Sequence, residues 1–277
     1  MISGCTQLIA HIGFPTETFK SPMIYNPFFD RHGIDAIVVP MGCKSEDYPA
    51  FFPAIFSLSN IRGALITMPH KITTLSLLDE ISTTAAIAGA CNAVKRNDAG
   101  KLVGDMFDGE GFARGMERKG QAIAGKQILV VGSGGVGSAI AASLAARAPC
   151  SLKLYDINQA SSEALKMRLL THYPALDVRT GDNDPDGCDI VVNATPLGMN
   201  TGDPMPLDMD RLAATTFVGE VVMKQETTAF LDAAIKRGCK VQVGIEMLFE
   251  QIPAYLEFFG FPTATPDELR TWAQVRY

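Results

Sequence analysis

Four glycines near the middle of the chain could bind the phosphates of a dinucleotide. They are Gly132, Gly134, Gly135 and Gly137. An apolar run at 128–131 predicts a buried strand before them, and an Ala/Leu-rich helix is predicted from about Val136. In such a strand, turn and helix, glycine permits a tight turn and lets backbone amides approach a pyrophosphate at the helix N-terminus. The segment predicts a dinucleotide turn, with an ordinary glycine-rich turn as the alternative.

A carboxylate follows the glycines at the spacing of a ribose-binding acid. A second apolar strand is predicted at 151–155 and ends at Asp156, and a dinucleotide fold places such an acid about 20 residues after its glycines. The carboxylate would accept hydrogen bonds from both ribose hydroxyls of NAD but would repel the 2′-phosphate of NADP. The sequence therefore predicts a preference for NAD. Alternatively, Asp156 is a strand-end cap that bonds the turn at Asn158.

Lys71 and Asp108 have the residue types needed for proton transfer. Pro69 fits the first turn of a helix, which would place Lys71 at a helix N-terminus. A lysine can exchange a proton with a carbonyl that is being reduced, and Asp108 could orient that lysine or a substrate hydroxyl. On residue type alone, a solvated lysine, a helix-capping aspartate and a turn residue at Asn92 stay open as alternatives.

Short apolar strands alternate with helical patterns through the chain. In the first third, strands are predicted at 7–12, 36–40, 63–67 and 93–95, and a helix at 21–32. Beyond the dinucleotide turn, strands are predicted at 190–193, 217–222 and 240–243, with helices near 161–171 and 227–236. The first alternation predicts a parallel α/β unit, and the second predicts a Rossmann sheet. In both, ligands are expected beyond the carboxyl ends of strands.

These elements predict an α/β protein of two domains, an N-terminal substrate domain and a Rossmann dinucleotide-binding domain with a deep cleft between them. The substrate domain comprises residues 1–108 and 245–277, and the Rossmann domain residues 109–244. The division assumes that the helices after Gly244 return to the first domain. That return would bring Gln251 to the loops that carry Lys71 and Asn92.

Composition excludes several classes of function. The 277 residues carry a net charge of −6, which disfavours binding to nucleic acid or an anionic membrane. No apolar run approaches the roughly 18 residues of a membrane span, and the N-terminus lacks the basic region of a signal peptide. We therefore expect a cytoplasmic protein. The six cysteines form no CxxC pair and the four histidines do not cluster with them, so we predict no metal site.

Six motifs in order resemble those of the shikimate/quinate dehydrogenase family, over nearly the whole chain. The family patterns are N-V-T-x-P-x-K, G-A-x-N-T, G-x-N-T-D-G, G-x-G-G, N-A-T-x-x-G-M and G-x-x-M-L-x-x-Q. Their counterparts here are LITMPHK (65–71), GACNA (89–93), GDMFDG (104–109), GSGG (132–135), NATPLGM (193–199) and GIEMLFEQ (244–251).

The resemblance implies an NAD(P)-dependent oxidoreductase of aromatic amino acid biosynthesis that interconverts 3-dehydroshikimate and shikimate, or a close analogue. It implies that Lys71 and Asp108 are the catalytic proton-transfer pair. The substrate, a polyol ring acid, would be bound by Phe19, Ser21, Thr67, Asn92 and Gln251. NAD, or more weakly NADP, would be bound by Gly132, Ser133, Gly134, Gly135, Val136, Asp156, Asn158, Ala194, Thr195, Pro196, Met199, Val221 and Gly244. The protein would be a monomer or homodimer.

The chain departs from the family pattern at positions that would contact the substrate. Phe19 stands where the family's S-K-S-P loop has its first serine, which holds the substrate carboxylate. Losing one donor to a carboxylate costs about 1.5 to 3 kcal/mol of binding, unless Thr18 or Lys20 compensates. Met223 replaces a family tyrosine, and Leu65 replaces an asparagine. Asp156 and Ile157 stand where NADP-preferring members have Asn-Arg.

Three alternatives compete with a shikimate dehydrogenase. A quinate or aminoshikimate dehydrogenase would suit the changed carboxylate loop. A catalytically silent sensor of a dinucleotide or ring acid is disfavoured, because a sensor need not keep both Lys71 and Asp108. An unrelated two-domain dehydrogenase is disfavoured by the six ordered motifs.

Overall fold

The chain forms two compact units in the computed structural model, which describes residues 2–17, 19–225 and 227–274. The first unit comprises Met1–Ala85, Gly89–Phe107 and Ile252–Tyr277, and the second comprises Ala86–Ala88 with Asp108–Gln251. The helix Gly244–Phe259 is shared by the two units, whereas the sequence-based division falls at its first residue. The assignment of residues 245–251 to the substrate domain stays a prediction.

The first unit is built on a six-stranded sheet within the described residues. Its elements up to the end of the sheet are β1 (Gln7–Gly13), α1 (Pro22–Arg31), β2 (Ala36–Gly42), α2 (Tyr48–Ile55), β3 (Ile61–Ile66), β4 (Glu80–Ile81), α3 (Thr83–Ala88), β5 (Ala93–Arg96) and β6 (Leu102–Asp105). The strand order is β2-β1-β3-β5-β6-β4. On one face of β1, the fully buried Ala10 and Ile12 join the core under α2.

The first sheet is mixed rather than wholly parallel, which corrects the sequence prediction for this unit. β1 is parallel to β2 and β3, and β4 is parallel to β6. β5, however, is antiparallel to both of its neighbours, β3 and β6. As a result, β1, β3 and β6 end at the same edge of the sheet, and β5 begins there. We call this edge the carboxyl edge of the first sheet.

The second unit is built on a parallel sheet of six strands among the described residues. Its elements, with the last two helices of the chain, are α4 (Asp108–Arg118), β7 (Gln127–Val131), α5 (Gly135–Ala145), β8 (Ser151–Tyr155), α6 (Gln159–His172), β9 (Asp177–Thr180), β10 (Ile190–Asn193), β11 (Phe217–Glu220), α7 (Ala229–Lys236), β12 (Val241–Gln242), α8 (Gly244–Phe259) and α9 (Pro266–Trp272). The strand order is β12-β11-β10-β7-β8-β9. The buried residues of β7 are all apolar, and those of β10 are apolar up to its last residue, Asn193, as expected for parallel strands covered on both faces.

The segment after β3 differs from its prediction. Pro69 does not open an α-helix: the Met68–Pro69 peptide is cis, and the next helical element is a 3₁₀ turn at Thr73–Leu77. Lys71 therefore lies in the turn before that element. Across the described residues, no helix combines the length and apolarity needed to cross a membrane.

Candidate active site

Thr67, Lys71 and Asn92 lie at the carboxyl edge of the first sheet. The Thr67 N–H donates to the carbonyl of Ile12 at 2.9 Å, which fixes Thr67 directly beyond β1 and β3. The carbonyl of Lys71 accepts from the N–H of Cys91 at 2.9 Å, which ties the lysine loop to the residue before Asn92. The three side chains thus come from loops that the sheet brings together.

Asn92 is a buried cross-link at this edge. Its carbonyl accepts from the Ile66 N–H at 2.9 Å, and its own N–H donates to the Asp105 carbonyl at 3.0 Å. Its Oδ1 accepts from the N–H of Phe107 at 2.9 Å. The asparagine thereby fixes the backbone directly before Asp108, which is buried and is the first residue of α4.

His70, which the sequence analysis did not single out, anchors the turn that presents Lys71. Its ring stacks on Tyr48 at 3.8 Å between centroids with an interplanar angle of 5°. Its Nε2 hydrogen-bonds to the Cys43 carbonyl at 2.7 Å, and its carbonyl accepts from the Thr74 hydroxyl at 2.8 Å. The ring and the backbone carbonyl of His70, the residue next to Lys71, are therefore both held within the core of the first unit.

Phe19 and Ser21 belong to the loop between β1 and α1. The Phe19 ring is buried and stacks on the ring of His11 in β1, with centroids 4.0 Å apart. Ser21 directly precedes α1, and its carbonyl accepts from the Ile24 and Tyr25 N–H groups. Its hydroxyl makes no capping bond to the helix.

His11 is a second residue that the sequence analysis missed. It is buried, and among the described residues its Nδ1 has no hydrogen-bond partner. Burial and the charge of Lys71 lower its pKa to about 4. A polar side chain within the apolar run of β1 is the one signal in the sequence that could have drawn attention to it.

Gln251 lies on α8, in the part of that helix that belongs to the second unit. It packs so closely on α4 that a Cβ at Gly111 would lie 2.6 Å from the Gln251 Cβ. Its Oε1 is buried and has no hydrogen-bond partner among the described residues. Its predicted role in substrate binding stays a prediction.

The glycine turn has the geometry to receive a phosphate. Gly132 has a positive φ of 104°, and a Cβ there would lie 2.8 Å from the Ala194 carbonyl oxygen. A Cβ at Gly134 or Gly135 would meet nothing within 4 Å, so the space before α5 is open. The buried Ser133 hydroxyl has no hydrogen-bond partner among the described residues. An open helix N-terminus beside an unused donor fits the pyrophosphate of a dinucleotide.

Asp156 is held by two backbone amides. Its Oδ2 accepts from the Ser133 N–H at 2.7 Å, and its Oδ1 accepts from the Asn158 N–H at 2.8 Å. The second bond is the one expected of a strand-end cap, so that alternative is present in the structure. A carboxylate offers about four acceptor positions, and two remain for ribose hydroxyls.

The other predicted dinucleotide-binding residues lie at the carboxyl ends of the second sheet. Val136 is in the first turn of α5, and the Asn158 side chain caps α6 by accepting from the Ala160 N–H. Ala194 and Val221 follow β10 and β11, and Gly244 opens α8 beside the Val222 carbonyl. The remaining members, Thr195, Pro196 and Met199, lie in the loop after β10.

A buried network holds the loop after β10. The Asn193 Oδ1 accepts from the Thr195 hydroxyl at 2.6 Å, and its Nδ2 donates to the Leu197 carbonyl at 3.0 Å. Behind it, the Glu220 carboxylate accepts from the Thr228 hydroxyl at 2.9 Å and from Asn193. Burial raises the pKa of Glu220 to about 7, and these hydrogen bonds offset only part of that rise.

The raised pKa of Glu220 predicts a pH-dependent stability. Between about pH 4.5 and about pH 7, the Glu220 carboxyl is protonated in the folded state and ionised in the unfolded state. The contribution of Glu220 to the free energy of unfolding is therefore lost as pH rises through that window. We expect the free energy of unfolding of the wild type, relative to Glu220→Gln, to fall by on the order of 3 kcal/mol between pH 4.5 and pH 8. Urea unfolding at several pH values measures the difference.

Glu46→Gln, at an exposed carboxyl, is the matched control and should show no such trend relative to the wild type. Parallel pH profiles of the wild type and Glu220→Gln would mean that folding does not raise the pKa of Glu220. No group of three or more His, Cys, Asp or Glu is placed to hold a metal ion in the part of the chain that the structure describes.

In sequence and in structure, the chain is similar to shikimate and quinate dehydrogenases. The shikimate dehydrogenase substrate binding domain matches residues 12–94. The shikimate dehydrogenase (NADP(+)) of Desulforamulus reducens is 33% identical, over 97% of this chain and 95% of the relative. The shikimate 5-dehydrogenase of Listeria monocytogenes, solved with shikimate and NAD, superposes with a TM-score of 0.90 at 25% identity, covering 98% of this chain and 97% of that one. The quinate dehydrogenase of Corynebacterium glutamicum, solved with NAD, has a TM-score of 0.85 at 27% identity, covering 96% of this chain and 98% of that one.

Proposed function

This chain belongs to the shikimate dehydrogenase family, and we propose that it interconverts 3-dehydroshikimate and shikimate, or a close analogue, by hydride transfer. It is an NAD(P)-dependent oxidoreductase that acts on a CH–OH group. The observation that carries the proposal is the Asn92 cross-link, which fixes the Lys71 loop and the residue before Asp108 at one sheet edge. A silent sensor would not need an anchored lysine beside polar side chains suited to a polyol.

We assign proton transfer to Lys71. A bound dinucleotide would supply the hydride acceptor when the ring alcohol is oxidised, and Lys71, as the neutral amine, takes the hydroxyl proton and becomes the ammonium. When the ketone is reduced, Lys71 returns that proton to the oxygen. Asp108 orients the lysine and the reacting hydroxyl, and Thr67, Asn92 and Gln251 bind the other polar groups of the substrate.

The dinucleotide belongs to the second unit in this proposal. The open N-terminus of α5 and the Ser133 hydroxyl receive the pyrophosphate, and Asp156 receives the adenosine ribose. Because Asp156 disfavours a 2′-phosphate, NAD is the preferred form and NADP the weaker one. The division into a substrate domain and a Rossmann domain, a cytoplasmic location and a monomeric or homodimeric state are parts of the same proposal.

Initial rates on shikimate, quinate and aminoshikimate with NAD and with NADP test the function. We expect dinucleotide reduction on at least one of these alcohols, with a raised KM for shikimate because Phe19 replaces a donor to its carboxylate. Turnover of quinate alone would favour the quinate dehydrogenase alternative. If neither these acids nor their uncharged analogues support turnover while dinucleotide binding is retained, the silent sensor becomes the better interpretation.

A further inference from the structure

The carboxyl edge of the first sheet has a polar part and an apolar part. The polar part is formed by Thr67, Lys71 and Asn92, which offer a hydroxyl, an ammonium and an amide. The apolar part is formed where β1 ends, by the ring of Phe19, which is only 9% exposed. A substrate that spans this edge would therefore contact hydrogen-bonding groups at one end and an aromatic ring at the other.

Phe19 is fixed over the end of β1 from two sides. Its ring stacks on His11 at 4.0 Å, and its Cζ would lie 3.0 Å from a Cβ at Gly13. Gly13 also leaves space for the Thr67 methyl group, which a Cβ at that position would meet. The aromatic ring thus reaches the immediate surroundings of Thr67, and it fills space at the edge without offering a hydrogen-bond donor.

His11 does not supply the charge that Phe19 lacks. Its pKa of about 4, lowered by burial and by the charge of Lys71, leaves the imidazole neutral at physiological pH. Its Nδ1 is buried without a partner among the described residues. The stacked pair of Phe19 and His11 is therefore an uncharged wall.

A carboxylate placed against this wall would lose water without gaining a charge-assisted hydrogen bond from the pair, which is strongly unfavourable. A hydroxyl, a hydroxymethyl group or a C–H face has little or no charge to desolvate. The pair therefore offers no charge of its own to one end of the substrate, whereas Thr67, Lys71 and Asn92 act on the polyol end.

We propose that the substrate of this enzyme is an uncharged polyol and its ketone, with a hydroxyl, hydroxymethyl or C–H group against Phe19 where a ring acid would place its carboxylate. The inference rests on the proposed function, since it names the substrate class for the same hydride and proton transfer. Phe19 is the specificity-determining residue, and His11 positions its ring.

Paired substrates of equal ring structure test the proposal. The pair is shikimate and the alcohol in which a hydroxymethyl group replaces its carboxylate. For the wild type we expect kcat/KM on the hydroxymethyl compound to exceed that on shikimate by at least about tenfold. Phe19→Ser restores a hydroxyl and exposes the imidazole of His11, so the ratio should fall by about tenfold, mainly through a lower KM for shikimate.

Phe19→Leu is the matched control, because it keeps an uncharged apolar side chain and should keep the wild-type order. Thermal midpoints of the variants show that each is folded. A wild type that prefers shikimate, or an unchanged ratio in Phe19→Ser, overturns the inference while Lys71-dependent turnover leaves the proposed function intact. Absence of Lys71-dependent turnover on both compounds with both dinucleotides overturns the proposed function and the inference together.

Discussion

Lys71→Ala is expected to lower kcat by about 10²- to 10⁴-fold, the usual contribution of a positioned acid or base. The lysine lies in a turn whose backbone is bonded to Cys91 and anchored by the neighbouring His70, so the side chain starts from a fixed point at the sheet edge. Dinucleotide affinity should change little, because the glycine turn belongs to the second unit and Lys71 to the first. Initial rates and a fluorescence titration with the dinucleotide measure the two quantities.

Lys101→Ala is the matched control for this prediction. Lys101 is an exposed lysine of the first unit that pairs with Glu80, and exposed pairs of this kind contribute little to stability. The kcat of Lys101→Ala should stay near the wild-type value.

Asp108→Asn should also lower kcat, but by less than Lys71→Ala, since the amide keeps the shape of the carboxyl and loses its charge. If Lys71→Ala turned over at the wild-type rate, Lys71 would be a solvated lysine with no part in proton transfer.

The sequence predicted the elements whose signals are local. The strand at 151–155 and the strand at 190–193 have the predicted bounds, and α5 begins one residue before Val136. A buried parallel strand is a continuous apolar run, and a glycine turn is contiguous in sequence, so periodicity and residue type suffice to find both. Local pattern also suffices to place Lys71 and Asn92 in loops beside strand ends.

The features that were missed depend on pairing between distant segments. Nothing near Ala93 indicates that β5 runs antiparallel to its neighbours, because strand direction is decided by the sheet and not by local pattern. Pro69 has the residue type of a helix start, but its loop belongs to the sheet edge instead. His11 and Glu220 acquire their shifted pKa values from burial by other segments of the chain, which no local sequence window reports.

NAD is expected to give a higher kcat/KM than NADP in the wild type, by about tenfold or more. Relatives of this chain are named or solved with either dinucleotide, so the preference rests on this chain's own residues. Two unit charges about 4 Å apart repel by on the order of 4 kcal/mol at an effective dielectric constant near 20. A third of that repulsion between Asp156 and a 2′-phosphate corresponds to about tenfold in affinity.

Two features of the structure bear on whether this repulsion is realised. Asp156 is held by the N–H groups of Ser133 and Asn158, so moving the carboxylate away from a 2′-phosphate would break two charge-assisted hydrogen bonds. Ile157 is 95% exposed, so its side chain neither blocks the approach of a phosphate nor offers it a positive charge. A 2′-phosphate bound at the end of β8 would therefore meet a carboxylate that is held in place.

The double variant Asp156→Asn with Ile157→Arg should narrow or reverse the preference, because it removes the repulsion and adds a guanidinium that can bind a phosphate with two hydrogen bonds. Asp156→Asn alone should raise kcat/KM with NADP by a smaller factor, since the amide keeps an acceptor for Asn158 without the charge. Ile157→Ala is the control and should leave the ratio unchanged, because the exposed isoleucine makes no charged contact that its removal could alter. Side-by-side kinetics in which the wild type clearly prefers NADP would require a cationic group other than these residues to bind the 2′-phosphate. The role of Asp156 would then be limited to its hydrogen bonds with the Ser133 and Asn158 N–H groups.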